Sequence, residues 1–183
     1  MESRSPGRSL GSVTSLDDIP RGSLCVIDTN VLIYAEHGIS SQAQRLLFRV
    51  ARGEVTGALP QPIWGELVHK FMLAEAVEKG FISTHRPTRQ LAANPQKVKR
   101  LGLYRDKIKA LRTMGLGFEL CTQADLLDTA LLFQEKYGLM TNDSLLLAVA
   151  VRIKADALVT ADENLAHTRE IPTYRPTDLK TVV

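Results

Sequence analysis

Only two cysteines, Cys25 and Cys121, occur in the 183 residues. Both fall in apolar, strand-like runs, so a disulfide framework is excluded and buried free thiols in a reducing compartment are expected. The longest unbroken apolar run, Leu145 to Val151, is far short of the roughly 20 residues that span a bilayer. No apolar core interrupts the N-terminal "MESRSPGRSLGSVTSLDDIPRG", which therefore is not a signal peptide. Rich in Ser, Gly, Pro and Arg, residues 1–22 are expected to form a mobile tail. No membrane association and a cytoplasmic location follow as the simplest expectation. Also missing are any Cys-x-x-Cys pair, Gly-x-Ser-x-Gly elbow or phosphate-cradling glycine loop, so zinc, acyl-transfer and P-loop chemistry have no support. There is no internal repeat. The net charge of +3 is mild; it permits nucleic-acid binding without demanding it.

What is present is the composition of an ordinary globular protein, 44% apolar and 23% charged, in a chain long enough for one domain with a real core. Residues 23–183 read as that domain. Leu24 to Asp28 predicts a strand and "VLIYAE" a short helix. Ser40 or Ser41 caps a helix with Ala43, Leu46, Leu47 and Val50 at helical spacing. "EVTGAL" reads as a strand, and "PQPIWGELVHKFMLAEAVEKG" as a helix closed by Gly80. Residues 81–93 read as irregular, and Asn94-Pro95 starts a helix running to about Met114. "GFELCT" is a strand, and Thr122 and Asp125 stand at capping-box spacing before the next helix. A short strand-like "LMT", the apolar helix "NDSLLLAVAVRIKA", the strand "ALVT", a short helix from "ADENLAHT" and a last strand near "PTYRP" follow. Alternating strands and helices predict an α/β sandwich with a mostly parallel sheet.

Four acids stand where acids are costly. Asp28 ends the first strand and Asp162 lies just past another; in open parallel sheets, ligands bind at those carboxyl ends. Asp143 opens the most apolar helix, and Glu66 interrupts the apolar run "IWGELV". Each has an ordinary explanation alone: turn or cap for Asp28 and Asp162, a first-turn acid favoured by the helix dipole for Asp143, rotation to water for Glu66. Together they point elsewhere. Two carboxylates ~4 Å apart repel by roughly 4 kcal/mol at an effective dielectric near 20, so four cannot all stay ionised without a cation. Hard divalent ions take such oxygen ligands and activate phosphates and water. A metal-dependent phosphoryl-transfer site is thus the reading of the pattern. The competing Glu66-x-x-His69 pair would need a second such pair on a bundle to hold di-iron. His37, His85 and His167 lack metal-ligand spacing. In a phosphatase-type reading of Asp28-Thr29-Asn30, a second Asp would be needed where Asn30 stands.

"VIDTNVLIYA", "PIWGELVHKF", "TNDSLLLAVAV" and "ALVTADENL", in that order, resemble the signature segments of the PIN-domain nucleases, with the VapC-type toxin ribonucleases of toxin–antitoxin pairs nearest in scale. The resemblance runs from about Leu24 to about Pro176. It implies a three-layer α/β/α sandwich and metal-binding acids at Asp28, Glu66, Asp143 and Asp162. Thr160 would hydrogen-bond within the acidic cluster, and Asn30 would orient Asp28. It further implies magnesium or manganese, in-line hydrolysis of RNA without a covalent intermediate, an antitoxin partner and a homodimer. Two departures stand out. Many members carry a further acid where this chain has Asn164, so a second metal would be held weakly. And 77 residues separate Glu66 from Asp143, with the excess in 81–114. From Lys79 to Arg112 ten basic residues face the single acid Asp106. Lys97, Arg100, Arg105 and Lys109 are the candidates for phosphate-backbone contact, with a solvated helix face or an acidic partner segment as the alternatives. A non-catalytic RNA- or protein-binding module on the same fold is the competing functional class.

Overall fold

A computed structural model describes residues 14–121 and 124–179, apart from the side chain of residue 125. Its centre is a sheet of six parallel strands in the order β1-β6-β5-β2-β3-β4. The strands are β1 Thr14–Ser15, β2 Leu24–Ile27, β3 Thr56–Pro60, β4 Gly117–Glu119, β5 Ala157–Val159 and β6 Thr173–Arg175. Cys25, Val26 and Ile27 on β2 and all of β5 are buried. Such unbroken apolar runs are what a parallel sheet covered on both faces requires, and each fully buried branched side chain stabilises by about 1.5–3 kcal/mol.

Between the strands run α1 Thr29–Glu36, α2 Ser41–Ala51, α3 Gln61–Glu78, α4 Pro87–Ala92, α5 Pro95–Lys99, α6 Leu103–Thr113, α7 Ala124–Tyr137, α8 Thr141–Arg152 and α9 Glu163–Ala166. α8 packs on β2, β3 and β5 and against α3 and α7. Its buried run Leu146–Ala150 makes it the centre of the core. Ser40 is the cap of α2: its hydroxyl accepts from Ala43 N at 3.0 Å and donates to Asp178 at 2.6 Å, tying the C-terminal segment to that helix. Gly80, at φ +65°, closes α3 as expected, since a left-handed residue after a helix favours glycine. Among the described residues no helix is long and apolar enough to cross a membrane.

Four expectations are corrected. Residues 14–22 are part of the fold, because β1 pairs with β6 and the short 3-10 turn Leu16–Asp18 plants Leu16 and Ile19 in the core; residues 1–13 lie outside the described part, as does the Thr122 cap. Residues 87–92 are helical rather than irregular. The helix predicted from Asn94 to Met114 is two, α5 and α6, broken at Gly102, where the amides of Gly102 and Tyr104 turn to the buried Glu75 carboxylate at 2.9 and 2.8 Å. The "LMT" segment forms no strand; Thr141 is the first residue of α8.

Segment 81–114 packs a second small core with α3, formed by Ala76 of that helix and Ile82, Leu91 and Leu101. Glu75 fastens it to α3. Burial pushes that carboxyl up, but Lys79 and the amides of Tyr104, Gly102 and Leu103 overcome it and hold it at about 2.

Candidate active site

β2 and β5 lie side by side with Ile27 opposite Val159. The chain leaves β2 for β3 on one side, while β5 and β6 fill the other. That reversal opens a crevice at the strands' carboxyl ends, where open α/β sheets bind ligands. Asp28 enters it directly from β2, anchored by its amide donating to Val159 O at 2.8 Å. Although it stands at the N-cap of α1, its side chain makes no capping bond. Its Oδ2 instead accepts from the Thr160 hydroxyl at 2.8 Å, and that same hydroxyl accepts from Asp162 N at 2.9 Å. Thr160 is fully buried and Asp28 is 6% exposed. One threonine thus couples the acid after β2 to the acid after β5. Asp162 does serve as a cap: Oδ1 accepts from Asn164 N at 2.7 Å and Leu165 N at 3.3 Å, opening α9.

Glu66 comes from α3, which follows β3 without a loop. Its Oε1 pairs with Lys70 Nζ at 2.7 Å, and its Oε2 accepts from Asn142 Nδ2 at 3.3 Å. Asp143, next to Asn142, is a first-turn acid of α8. Burial, then the charges of Asp162, Asp28 and Glu66, push its carboxyl up to about 6. Asp28 is raised as well, by burial first and by Glu66, against the opposing Thr160 bond. Four acids from four segments therefore feel one another at one end of the sheet.

That field reaches further than a coordination bond. Among the described residues, no three Asp, Glu, His or Cys are gathered at distances that hold a metal ion. Lys70 draws Glu66 aside through their ion pair. In kind the donors fit a hard divalent cation: carboxylate oxygens from four segments, with Asp143 kept abnormally basic by burial first and then by the charges of the other three.

Asn30, expected to orient Asp28, turns its amide oxygen to Lys70 Nζ at 3.3 Å. His69 donates to or accepts from the Thr88 hydroxyl at 3.2 Å, pinning α4 to α3. Lys70 and Asn142 were missed in the sequence; the four-residue spacing of Glu66 and Lys70, which favours an ion pair on a helix, was the available signal. The basic candidates do not converge as a set. Lys97 Nζ donates to Phe81 O at 2.5 Å and Arg100 covers the Phe81 ring at 4.7 Å. Arg105 lies against Tyr104, and Lys109 near Asp106. Acids from elsewhere take up Lys79 and Lys107, through Glu75 and Glu36.

A parallel α/β sandwich with a carboxylate-lined switch point is the class of protein that fold and site define. The family model of the PIN domain matches residues 25–171. The chain belongs to the PIN domain family, whose members are typically nucleases. Two solved structures share the fold. One is the VapBC2 complex of Rickettsia felis bound to a DNA fragment from its promoter: TM-score 0.53, 14% identity, 83% of this chain and 98% of that one. The other is a toxin–antitoxin complex from Klebsiella pneumoniae: TM-score 0.53, 18% identity, 80% of this chain and 94% of that one. No curated protein matches significantly in sequence.

Proposed function

We propose that this chain is a magnesium- or manganese-dependent endoribonuclease, the toxin of a toxin–antitoxin pair, acting through Asp28, Glu66, Asp143 and Asp162. What supports the reading is that Asp143 is pushed up to about 6 by burial first and then by the charges of Asp162, Asp28 and Glu66, so that acids from four segments bear on one place at the carboxyl end of the sheet. The family supports a nuclease, and the toxin–antitoxin complexes sharing its fold support an antitoxin partner. Dimerisation rests on the resemblance alone.

The four carboxylates would hold the cation. When bound, it supplies Lewis-acid polarisation of a phosphate and lowers the pKa of water. The chain's own residues do the rest. Thr160 fixes Asp28 relative to the backbone of Asp162 through its single hydroxyl, so two acids just past adjacent strands keep one spacing. Asn142 steadies one oxygen of Glu66. Lys70, paired with Glu66 at 2.7 Å, would have to release or share that carboxylate for all four acids to hold a cation.

That ion pair favours a second reading. A lysine that neutralises Glu66 from within is what a binding module without catalysis would retain. Incubating a labelled RNA pool with purified protein in magnesium, in manganese and in EDTA separates the two. Cutting in the metal ions and none in EDTA is expected; RNA bound but uncut in every condition would favour the module.

A further inference from the structure

We infer that the cleft between the end of α3, α4 and α5 is a second contact site for single-stranded RNA, holding a nucleotide of the substrate outside the acid centre. This rests on the ribonuclease reading above. The cleft encloses about 470 Å³ and is lined by Phe81, His85, Arg86, Arg89, Asn94 and Lys97 among others, a volume within the range of small-ligand sites. No acid lines it. Arg86 and Arg89 make no ion pair among the described residues, in contrast to Lys79, Lys107 and Lys109. Cations left without anions in a concave wall select an anionic ligand.

Its shape is set in advance. The Gln90 side chain accepts from Ser83 N at 3.0 Å and donates to the Ser83 hydroxyl at 2.7 Å and to His85 O, so the loop before α4 is clamped. Lys97 holds Phe81 O with one of its protons and keeps two for a ligand. Arg86 sits at φ +48° immediately before Pro87. A left-handed arginine in front of a proline is disfavoured twice over, and such strain is stored where the surroundings hold a side chain in place.

Phosphate and base are both provided for. Arg86, Arg89 and Lys97 match phosphate oxygens. The half-buried Phe81, packed on the small core and covered by Arg100, lines the cleft and supplies the aromatic contact for a base that usually accompanies such cations in single-strand binding. The location matters most. Thr88, between the two arginines, is bonded to His69, three residues beyond Glu66 on α3. A polyanion approaching four carboxylates is repelled; cations on a helix tied through His69 to the helix that carries Glu66 offset that repulsion.

The test is fluorescence anisotropy of a short fluorescein-labelled, unstructured RNA with the full chain in EDTA, at several salt concentrations. Arg86→Gln combined with Arg89→Gln is expected to weaken binding about tenfold and to reduce the slope of log affinity against log salt by about 1.4, two phosphates on a single strand. Arg89→Gln alone, exposed on α4, gives about half that slope change if the double variant fails to fold. Phe81→Leu is expected to weaken binding about fivefold or more with the salt slope unchanged. Arg21→Gln, exposed and outside the cleft, serves as the control and leaves both unchanged. Wild-type affinity and slope in the arginine variants, while wild-type protein still cuts RNA, would overturn the cleft and spare the nuclease. Variants that keep RNA but lose a polyglutamate peptide would make the cleft a protein-docking surface and equally overturn it. A wild-type chain that neither binds nor cuts RNA would remove both readings.

Discussion

Two regions of this molecule carry charge that its own fold leaves unbalanced, and they differ in how they are held. At the switch point, Asp28, Asp143 and Asp162 come from the ends of core elements, and Thr160, fully buried, locks two of them together. In the elaboration, Arg86, Arg89 and Lys97 ride on short helices around a core of four residues. The acids are positioned by the sheet and cannot be moved without disturbing it. The cations are positioned by an attachment, fastened through Glu75, that could be reshaped while the sheet stayed intact. Under the proposed function, chemistry belongs to the rigid region and substrate grip to the segment 81–114. α3 joins them, with Glu66 facing the first and His69 pinning the second.

Substitutions on either side should therefore separate turnover from binding. The largest effect is expected from Asp143→Asn: cleavage falls by about 10³-fold, the equivalent of about 4 kcal/mol, while RNA affinity in EDTA is retained. An equal loss of affinity would break the division of labour. Next, Glu75→Ala should cost about 2–4 kcal/mol in urea unfolding, because it leaves Lys79 and the amides of Gly102 and Tyr104 without their acceptor. Hydrogen exchange should then show α4 to α6 opening before the sheet. The pH dependence follows from its depressed carboxyl: the contribution is present above the unfolded value near 4.3 and is lost as pH falls towards about 2. Smallest is the effect of Asp143→Asn on stability. A carboxyl raised to about 6 favours the fold below its unfolded value near 3.9 and withdraws that support as pH rises through 6. The variant should thus be more stable than wild type by about 1–2 kcal/mol at pH 7, after solvent screening, and gain nothing at pH 4. Thermal melts at the two pH values check this.

Legibility followed the same division. Asp28 and Asp162 could be placed because a carboxylate just after an apolar strand of a parallel sheet has only one end of the sheet to occupy. Asp143 could be placed because α8 is too apolar to leave the core. Thr14 to Ile19 were misread: two apolar anchors among serines and acids give too little periodicity to reveal an edge strand and a short turn. The break at Gly102 was invisible because its cause, Glu75, lies 27 residues away. In the basic stretch, composition showed the charge but not its disposition. Whether Lys107 or Arg89 is free depends on Glu36 and other acids far off in sequence.

Whether Asp28, Glu66, Asp143 and Asp162 act as one cation-binding centre is tested most directly by thermal unfolding of wild type and Asp28→Asn across a manganese titration. A ligand bound only by the folded state raises the melting temperature with its concentration. Wild type is predicted to rise steadily with manganese at pH 7 and Asp28→Asn to stay nearly flat. Equal shifts in the two proteins, or none in wild type, would contradict the account.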